Sequence, residues 1–373
     1  MLDQRPLRIL HTESSTGWGG QEIRILTEAR GMLNRGHQVT LLTPEEAQIA
    51  SAADTRGIPC VRLPITRKRW WPWWILRQWL AKHGHEFDVI NTHSSTDAWL
   101  VALACATLDK PLPVVRTRHV STAVRSSLPT RWLYTRATSH IVVTGEQLRQ
   151  NLHIDAGIDL HHMTSVRTGI DLTRFKPGDN PSLARQALGL SDRPTVGIVA
   201  TLRDWKGHED LLQAWATLPA SLQHWQLLIV GDGPRRPNLE ALIHDMQLHE
   251  RVKLVGNVDD VPAWLHAMDI FTLPSYANEG VPQSLMQAMA CALPVISTPV
   301  GAIHEILIDN QTGLMVQPQK PDSLAAALLR LMTEPELRHQ LGRSAWQSAQ
   351  ASMGLDQMLD AMEQIFYRFR RPN

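Results

Sequence analysis

Short apolar strands and helix-period segments alternate along almost all of this 373-residue chain, and they do so in two successive series. In the first half the strand candidates lie at residues 8–11, 38–42, 61–64, 88–92, 114–117 and 140–143. Helix candidates such as 21–35, 73–82 and 97–108 separate them. In the second half the strands lie at 195–200, 226–230, 252–255, 270–273, 295–297 and 314–316. Nearly continuous runs of Val, Ile and Leu imply burial on both faces, which a parallel sheet flanked by helices supplies. The pattern predicts two Rossmann-like α/β domains, and the length suits two. The seam is expected at residues 175–181 (FKPGDNP), where Pro, Gly and Asn break both periods. This gives an N-terminal domain of 1–176 and a C-terminal domain of 177–354. In such folds ligands lie beyond the C-terminal ends of the strands, so the chemistry is sought in the turns that follow them.

Several classes are excluded early. Three scattered cysteines, Cys60, Cys105 and Cys291, make neither a disulfide framework nor a cysteine-rich zinc site, and they suit a reducing compartment. The opening MLDQRPLRILH has no apolar core of a secretory signal. The longest apolar run, residues 98–106, is far below the ~20 residues of a spanning helix. A cytoplasmic protein is expected, with peripheral contact at the inner face of the cytoplasmic membrane left open. The net charge of +1 hides an uneven split: 21 basic and 15 acidic residues in 1–175, against 16 and 21 in the remainder. No nucleic-acid-binding motif accompanies the basic segments, so nucleic acid is not expected as a partner.

Tryptophan is over-used, with thirteen against five phenylalanines and three tyrosines, and five of the thirteen fall between residues 70 and 79. Residues 65–85 hold five basic side chains and no acid. Residues 110–145 hold six more (Lys110, Arg116, Arg118, Arg125, Arg131, Arg136), again without an acid. Cations interleaved with Trp suit a membrane interface or a sugar-phosphate acceptor. On that reading Arg67, Lys68, Arg69, Trp70, Trp71, Trp73 and Trp74 form an acceptor or membrane face, with the four tryptophans partly exposed. The alternative is an ordinary helix with tryptophans packed inward and arginines solvated.

Four turns after strands have residues suited to chemistry. In SSTGWGGQE (residues 14–22), Gly19 and Gly20 precede a helix start, which suits a phosphate, a sugar hydroxyl or simply a tight turn. It is not a spaced G-x-G-x-x-G, which counts against a dinucleotide oxidoreductase. In LRDWKGHEDLL, Arg203 and Lys206 could neutralise a diphosphate leaving group or merely open a helix. Gly231, Gly233 and Pro234 form GDGP, where glycines permit close approach to a ligand or make a turn. In residues 273–298, Glu279 and Gly280 precede a helix expected near Pro282, with exposed amides from Gly280 through Val281 to Ser284. Gln287 lies eight residues beyond Glu279.

The string LPSYANEGVPQSLMQAMACALPVIST (273–298) resembles the signature of family 4 retaining glycosyltransferases, whose fold is GT-B. The other three turns follow in the matching order, with TGIDLTRF (168–175) and TPVGAIHEIL (298–307) as further matches. TRH (117–119) with GWGGQE looks like members that extend lipopolysaccharide core or bacterial surface polysaccharides. The resemblance implies a nucleotide-sugar donor and an anionic glycan or glycolipid acceptor, with donor residues in the C-terminal domain facing an acceptor domain across a cleft. Arg203 and Lys206 would hold the leaving diphosphate. Glu279 would contact the donor sugar near its anomeric centre, and amides of Gly280, Val281, Pro282 and Ser284 would surround sugar and phosphate. His119 would touch the donor sugar from the acceptor side; otherwise it is a buried histidine hydrogen-bonded to backbone. Gly19 and Gly20 would approach the phosphates or the transferred sugar. A final helix, 355–373, is expected to pack back on the N-terminal domain.

One departure stands out. The second acid of the family's Glu…Glu pair, which grips the ribose, is here Gln287. Ionised Glu accepts two bonds from a diol whereas Gln accepts one and donates one, a loss on the order of 1–2 kcal/mol of nucleotide affinity. Retention without a placed nucleophile implies front-face attack by the acceptor hydroxyl. No D-x-D triplet occurs, so neither metal nor cofactor is expected. A GT-B nucleotide-sugar epimerase and a non-catalytic nucleotide- or glycan-binding member remain as alternatives.

Overall fold

The computed structural model describes residues 5–119, 122, 124, 126–277 and 279–371; Arg125 of the basic run lies outside them. The chain forms two compact units, Met1–Gly169 with Asp356–Asn373, and Ile170–Leu355.

Unit 1 alternates as the apolar pattern requires. Its elements are β1 (Arg8–Thr12), α1 (Gly20–Asn34), β2 (Gln38–Thr43), α2 (Gln48–Thr55), β3 (Cys60–Arg62) and α3 (Trp70–His83). They continue with β4 (Val89–Thr92), α4 (Ser95–Cys105), β5 (Val114–Arg118), α5 (Leu128–Thr135), β6 (His140–Val143), α6 (Glu146–Ala156) and β7 (Met163–Ser165). All seven strands are parallel, in the order β3-β2-β1-β4-β5-β6-β7. The chain winds outward in one direction from β1 and in the other from β4, so the switch point lies between those two strands.

Unit 2 repeats the plan with α7 (Pro181–Ala187), β8 (Thr195–Val199), α8 (His208–Ala216), β9 (Gln226–Val230), α9 (Arg236–Asp245), β10 (Val252–Gly256) and α10 (Val261–His266). It closes with β11 (Ile270–Leu273), α11 (Gln283–Ala290), β12 (Val295–Ser297), β13 (Leu314–Met315), α12 (Pro321–Thr333) and α13 (Pro335–Ser352). Its six strands are also parallel, in the order β10-β9-β8-β11-β12-β13, and the switch point lies between β8 and β11. One continuous apolar core runs through this unit, from Ile170 and Phe175 to Met353.

The structure shifts several sequence-derived boundaries, each for a local reason. The division falls between Gly169 and Ile170, ahead of FKPGDNP, because Ile170 and Phe175 already belong to the second core and Ile170 donates its N–H to Met353 O at 2.7 Å. Helix α3 begins at Trp70 instead of 73, with Arg69 as an extended cap residue. Helix α4 begins at Ser95, set by a reciprocal capping box between Ser94 and Asp97. The three-residue β7 carried no apolar run long enough to be read from sequence.

The last helix, α14 (Leu355–Phe369), belongs to unit 1 from Asp356 onward. It buries Met362 and Phe366 fully, and its acids meet α1 and β2: Arg35 pairs with Asp360 at 2.7 Å and with Glu363 at 2.9 Å, while His37 Nε2 lies 2.9 Å from Glu363. Gly31 of α1 admits this helix so closely that a Cβ there would stand 2.5 Å from Leu359 Cδ1. A Gly31→Val substitution should therefore lower stability by about 1–3 kcal/mol through overpacking, read as a fall in the urea midpoint of the chain.

Candidate functional site

In unit 2 the switch point brings together turns that are far apart in sequence. Because β8 and β11 are neighbours, with Ile270 opposite Val196, the turn after β8 and the turn after β11 emerge side by side at the C-terminal edge. The first makes a short 3₁₀ turn, Asp204–Lys206, ending at Gly207; the second carries Ser275 and Glu279. Lys206 Nζ donates to Glu279 Oε1 at 2.6 Å, and Ser275 Oγ donates to the same oxygen at 2.6 Å. Glu279 is buried at 4% exposure, so its charge is held by these two donors and not by water.

The two turns are locked by backbone contact. Tyr276 N–H donates to Trp205 O at 2.8 Å, and Thr298 Oγ1 donates to Ser275 O. Gly301 (φ +60°) lies against Glu279 itself: a Cβ there would fall 2.0 Å from Glu279 O. Gly207 (φ +74°) lies equally close to Pro274 O, at 2.1 Å for the same added atom. Both positions demand glycine by conformation and by space.

Placement of the remaining expected residues is uneven. Arg203 is exposed and its guanidinium lies 5.2 Å from the Trp205 ring centroid, on the same turn as Lys206. Gly231 and Gly233 are filled from within: Cβ atoms there would meet Ala200 O at 2.0 Å and Leu202 O at 2.6 Å, so turn-on-turn packing accounts for both without a ligand. Pro234 is exposed beside them. Pro282 caps α11 at its N-terminus; Val281 is buried, while Gly280, Ser284 and Gln287 are half-buried along its start.

In unit 1 the glycine-rich turn is more acidic than the sequence reading allowed. Gly19 is the extended cap residue of α1, and no atom of the described chain crowds an added Cβ closer than Glu22 Oε2 at 3.7 Å. The α1 N-terminus is already met from within: Glu22 accepts from its own N–H and from Gly19 N–H, and Glu13 accepts from Ser15 N–H at 2.7 Å and from the Gln21 amide. With those amides taken and both carboxyls raised by burial, the turn suits hydroxyl groups better than a phosphate. A cavity of about 570 Å³ adjoins this turn, lined among others by Ser14, Ser15, Thr66, Ser95, Thr96 and Arg67.

The tryptophan-rich segment divides. Trp70, Trp71 and Trp74 are 73%, 54% and 42% exposed, whereas Trp73 is half-buried and packs against the apolar core beneath α3. Arg67, Lys68 and Arg69 are exposed, and Lys68 Nζ donates to Ser95 Oγ at 2.9 Å. Arg116 and Arg118, counted from sequence as part of a basic run, are buried at the end of β5. Arg116 stacks on Tyr134 at 4.4 Å and Arg118 donates to Tyr134 Oη at 3.0 Å.

His119 stands just beyond β5, half-buried, with Nε2 3.0 Å from His93 Nδ1. Its backbone-bonded alternative is thereby replaced by a bond to a second histidine. Sequence reasoning missed that histidine, along with Ser275, Gly207 and Gly301. The period-2 alternation of polar residues in NTH (91–93) and TRH (117–119) was the available signal.

Two family models divide the chain between them. One described as Glycosyltransferase Family 4 matches residues 18–174, and one described as Glycosyl transferases group 1 matches residues 193–334. The chain belongs to the family 4 glycosyltransferases. This glycosyltransferase is 31% identical over 199 residues to an alpha-D-kanosaminyltransferase of Streptomyces kanamyceticus, a match that takes in 52% of this chain and 51% of that enzyme, so it spans about half the length of that relative. It is 26% identical over 384 aligned positions to a D-inositol 3-phosphate glycosyltransferase of Salinispora arenicola, covering 90% of this chain and 84% of the relative. Its fold matches that of Alr3699/HepE of Anabaena, crystallised with UDP, at a TM-score of 0.85 and 20% identity over 97% of this chain and 100% of that one. The two parallel-sheet units are those of the GT-B fold.

One electrostatic feature of the glycosyltransferase is directly measurable. Burial, and then the neighbouring Asp97, push the Glu13 carboxyl from 4.5 up to about 8. The folded chain therefore holds a proton that the unfolded chain releases, and stability falls as pH rises between those values. Below about 6.5 buried histidines act in the opposite sense, because burial lowers His11 to about 3 and His208 to about 4. Between pH 7 and 8 the urea-derived stability should fall by up to about 1.4 kcal/mol per pH unit for the one proton held. Glu13→Gln should flatten that slope; an unchanged slope refutes the assignment.

Proposed function

We propose that this protein moves a glycosyl group from a nucleotide-sugar donor to a hydroxyl of an anionic glycan or glycolipid, in the assembly of lipopolysaccharide or a related surface polysaccharide. The observation that carries the donor half is the pair between half-buried Lys206 and buried Glu279 at the switch point of unit 2, with Arg203 on the same turn as Lys206. A carboxylate held by a single ammonium, beside a second cation, is charge-balanced so that an arriving diphosphate finds two positive groups and one fixed acceptor. The Anabaena neighbour's complex with UDP supports a nucleoside diphosphate as the group recognised.

In the reaction the bond between the anomeric carbon and the diphosphate oxygen breaks, and a bond to the acceptor oxygen forms on the same face, retaining configuration. The acceptor's proton passes to the departing phosphate oxygen. Lys206 and Arg203 stabilise that oxygen as its charge grows, and the amides at the start of α11 add their dipoles. Glu279 orients the sugar by accepting from its hydroxyls. The charge requirement is met by these side chains without a metal ion. Gln287 binds a ribose hydroxyl as a neutral acceptor and donor in place of a carboxylate.

The acceptor half rests on unit 1. The hydroxyl-lined cavity, with one cation (Arg67) and one acid (Glu46) in its wall, suits a polyol, and the exposed indoles of Trp70, Trp71 and Trp74 beside Arg67, Lys68 and Arg69 suit an anionic glycolipid at a membrane interface. No helix among the described residues is long and apolar enough to cross a membrane.

Nucleoside diphosphates and nucleotide sugars should raise the melting temperature in a thermal-shift screen, since a ligand of the native state stabilises it. Lys206→Ala and Glu279→Ala should each lower kcat by about 10²–10³-fold; near-wild-type transfer in both would end this reading. Product analysis with and without acceptor separates transfer from epimerisation of the donor. Sedimentation with anionic liposomes should weaken markedly when Arg67, Lys68 and Arg69 are neutralised together, and unchanged sedimentation removes the membrane role.

A further inference from the structure

Three histidines of unit 1 form a chain that nothing in the proposed reaction yet uses. His11 Nδ1 lies 2.9 Å from His93 Nε2, and His93 Nδ1 lies 3.0 Å from His119 Nε2. The rings run edge to edge, with centroids 5.2 Å apart in each pair and planes inclined by 15° and 31°. The sheet explains the alignment. Residues 11 and 91 are opposite one another, so His11 and Asn91 point to one face, and His93, two residues on, continues it. Residues 117 and 119 continue that face past β5, where Thr117 Oγ1 donates to Asn91 Oδ1 at 2.9 Å. Helix α1 covers the face with Arg24 and Glu28, and α14 covers it with Phe366, edge-on to His11.

Each of the two ring-to-ring hydrogen bonds needs one proton. Burial holds all three imidazoles well below their ordinary pKa, with neighbouring rings and Arg24 adding to the effect at His93, so the rings are neutral and carry one proton each. Only two arrangements satisfy both bonds. Either every Nε2 is protonated and His119 Nδ1 is a bare acceptor, or every Nδ1 is protonated, His119 Nδ1 becomes a donor and His11 Nε2 is bare.

The inner end decides between them. His11 Nε2 has no hydrogen-bond partner and lies 4.0 Å from Glu28 Oε1. Asn91 Nδ2 donates to Glu28 Oε1 at 3.3 Å, while Arg24 Nε stands 3.7 Å from Oε2 as an ion pair without a hydrogen bond; burial raises Glu28 to about 7, so at pH 8 it is a carboxylate. The Asn91 amide presents its NH2 to Glu28, because a carboxylate takes a donor and not a second oxygen, and its Oδ1 then accepts from Thr117 Oγ1. A bare Nε2 facing this carboxylate is repelled, whereas an N–H is attracted.

We propose that Glu28, His11 and His93 are positioning residues that fix His119 in its Nε2–H tautomer, leaving Nδ1 as an obligate hydrogen-bond acceptor. In that form His119 accepts from a sugar hydroxyl and cannot donate to a phosphate oxygen, so it discriminates the transferred sugar from the leaving group. This rests on the proposed transfer and on the donor-sugar contact that the family resemblance implies for His119, but its test does not depend on turnover.

The tautomers are read by long-range ¹H–¹⁵N correlation on the full chain labelled with ¹⁵N-histidine at pH 8. Signals are assigned from the single His11→Asn, His93→Asn and His119→Asn variants. The wild type should show the Nε2–H pattern at all three rings. In His93→Phe, which keeps a flat ring but cuts both bonds, His119 should change to a mixture of tautomers. A wild-type ring that is cationic or Nδ1–H overturns the proposal, as does an unaltered His119 in His93→Phe. Should that variant not fold, the wild-type pattern alone decides. A correct pattern in a chain that fails every donor screen would sink the function and leave the relay standing.

Discussion

The adjacency of β8 and β11 governs unit 2. Two parallel strands that are far apart in sequence share an edge at the switch point, so the turns leaving them must occupy the same small space. Everything chemical there follows from that crowding. Lys206 can reach Glu279 because its turn lies against the next, and Glu279 can stay charged while buried because Lys206 and Ser275 meet it. Glycines at 207 and 301 let the backbones approach within a distance that no side chain would tolerate. A parallel sheet thus turns topology into electrostatics, and unit 1 uses the same device with histidines between β1 and β4.

Much of this was legible from residues alone. Apolar runs placed most strands to within a residue or two, since burial on both faces leaves a dense Val, Ile and Leu signature. The turn residues Arg203, Lys206 and Glu279 were found because each follows a strand. Their mutual contact was not, as no local pattern reports which strands become neighbours. Gly231 and Gly233 were read as permitting a ligand's approach or making a turn, and on their Cβ side the backbone of Ala200 and Leu202 occupies the space they leave. Sequence shows that a side chain is missing, and only the fold shows what fills the gap.

Charge counting misled in an instructive way. Arg116 and Arg118 looked like members of a basic surface, yet alternation along β5 turns both into the protein toward Tyr134. Trp73 differs from Trp70, Trp71 and Trp74 for a similar reason: α3 starts one turn earlier than expected, and its periodicity sends one indole inward. A local composition says how many charges or rings a segment holds. Period decides which of them water sees.

The return of α14 to unit 1 has a consequence for synthesis on the ribosome. Unit 2 is contiguous and can close as soon as Leu355 has emerged, while unit 1, begun first, must wait for the final helix. Until Met362 and Phe366 arrive, the pocket around His11 and Arg24 stays open to water, so the earliest part of the nascent chain is the last to become dry. A truncated product that stops short of that helix would contain a finished second unit and a first unit with its polar interior exposed.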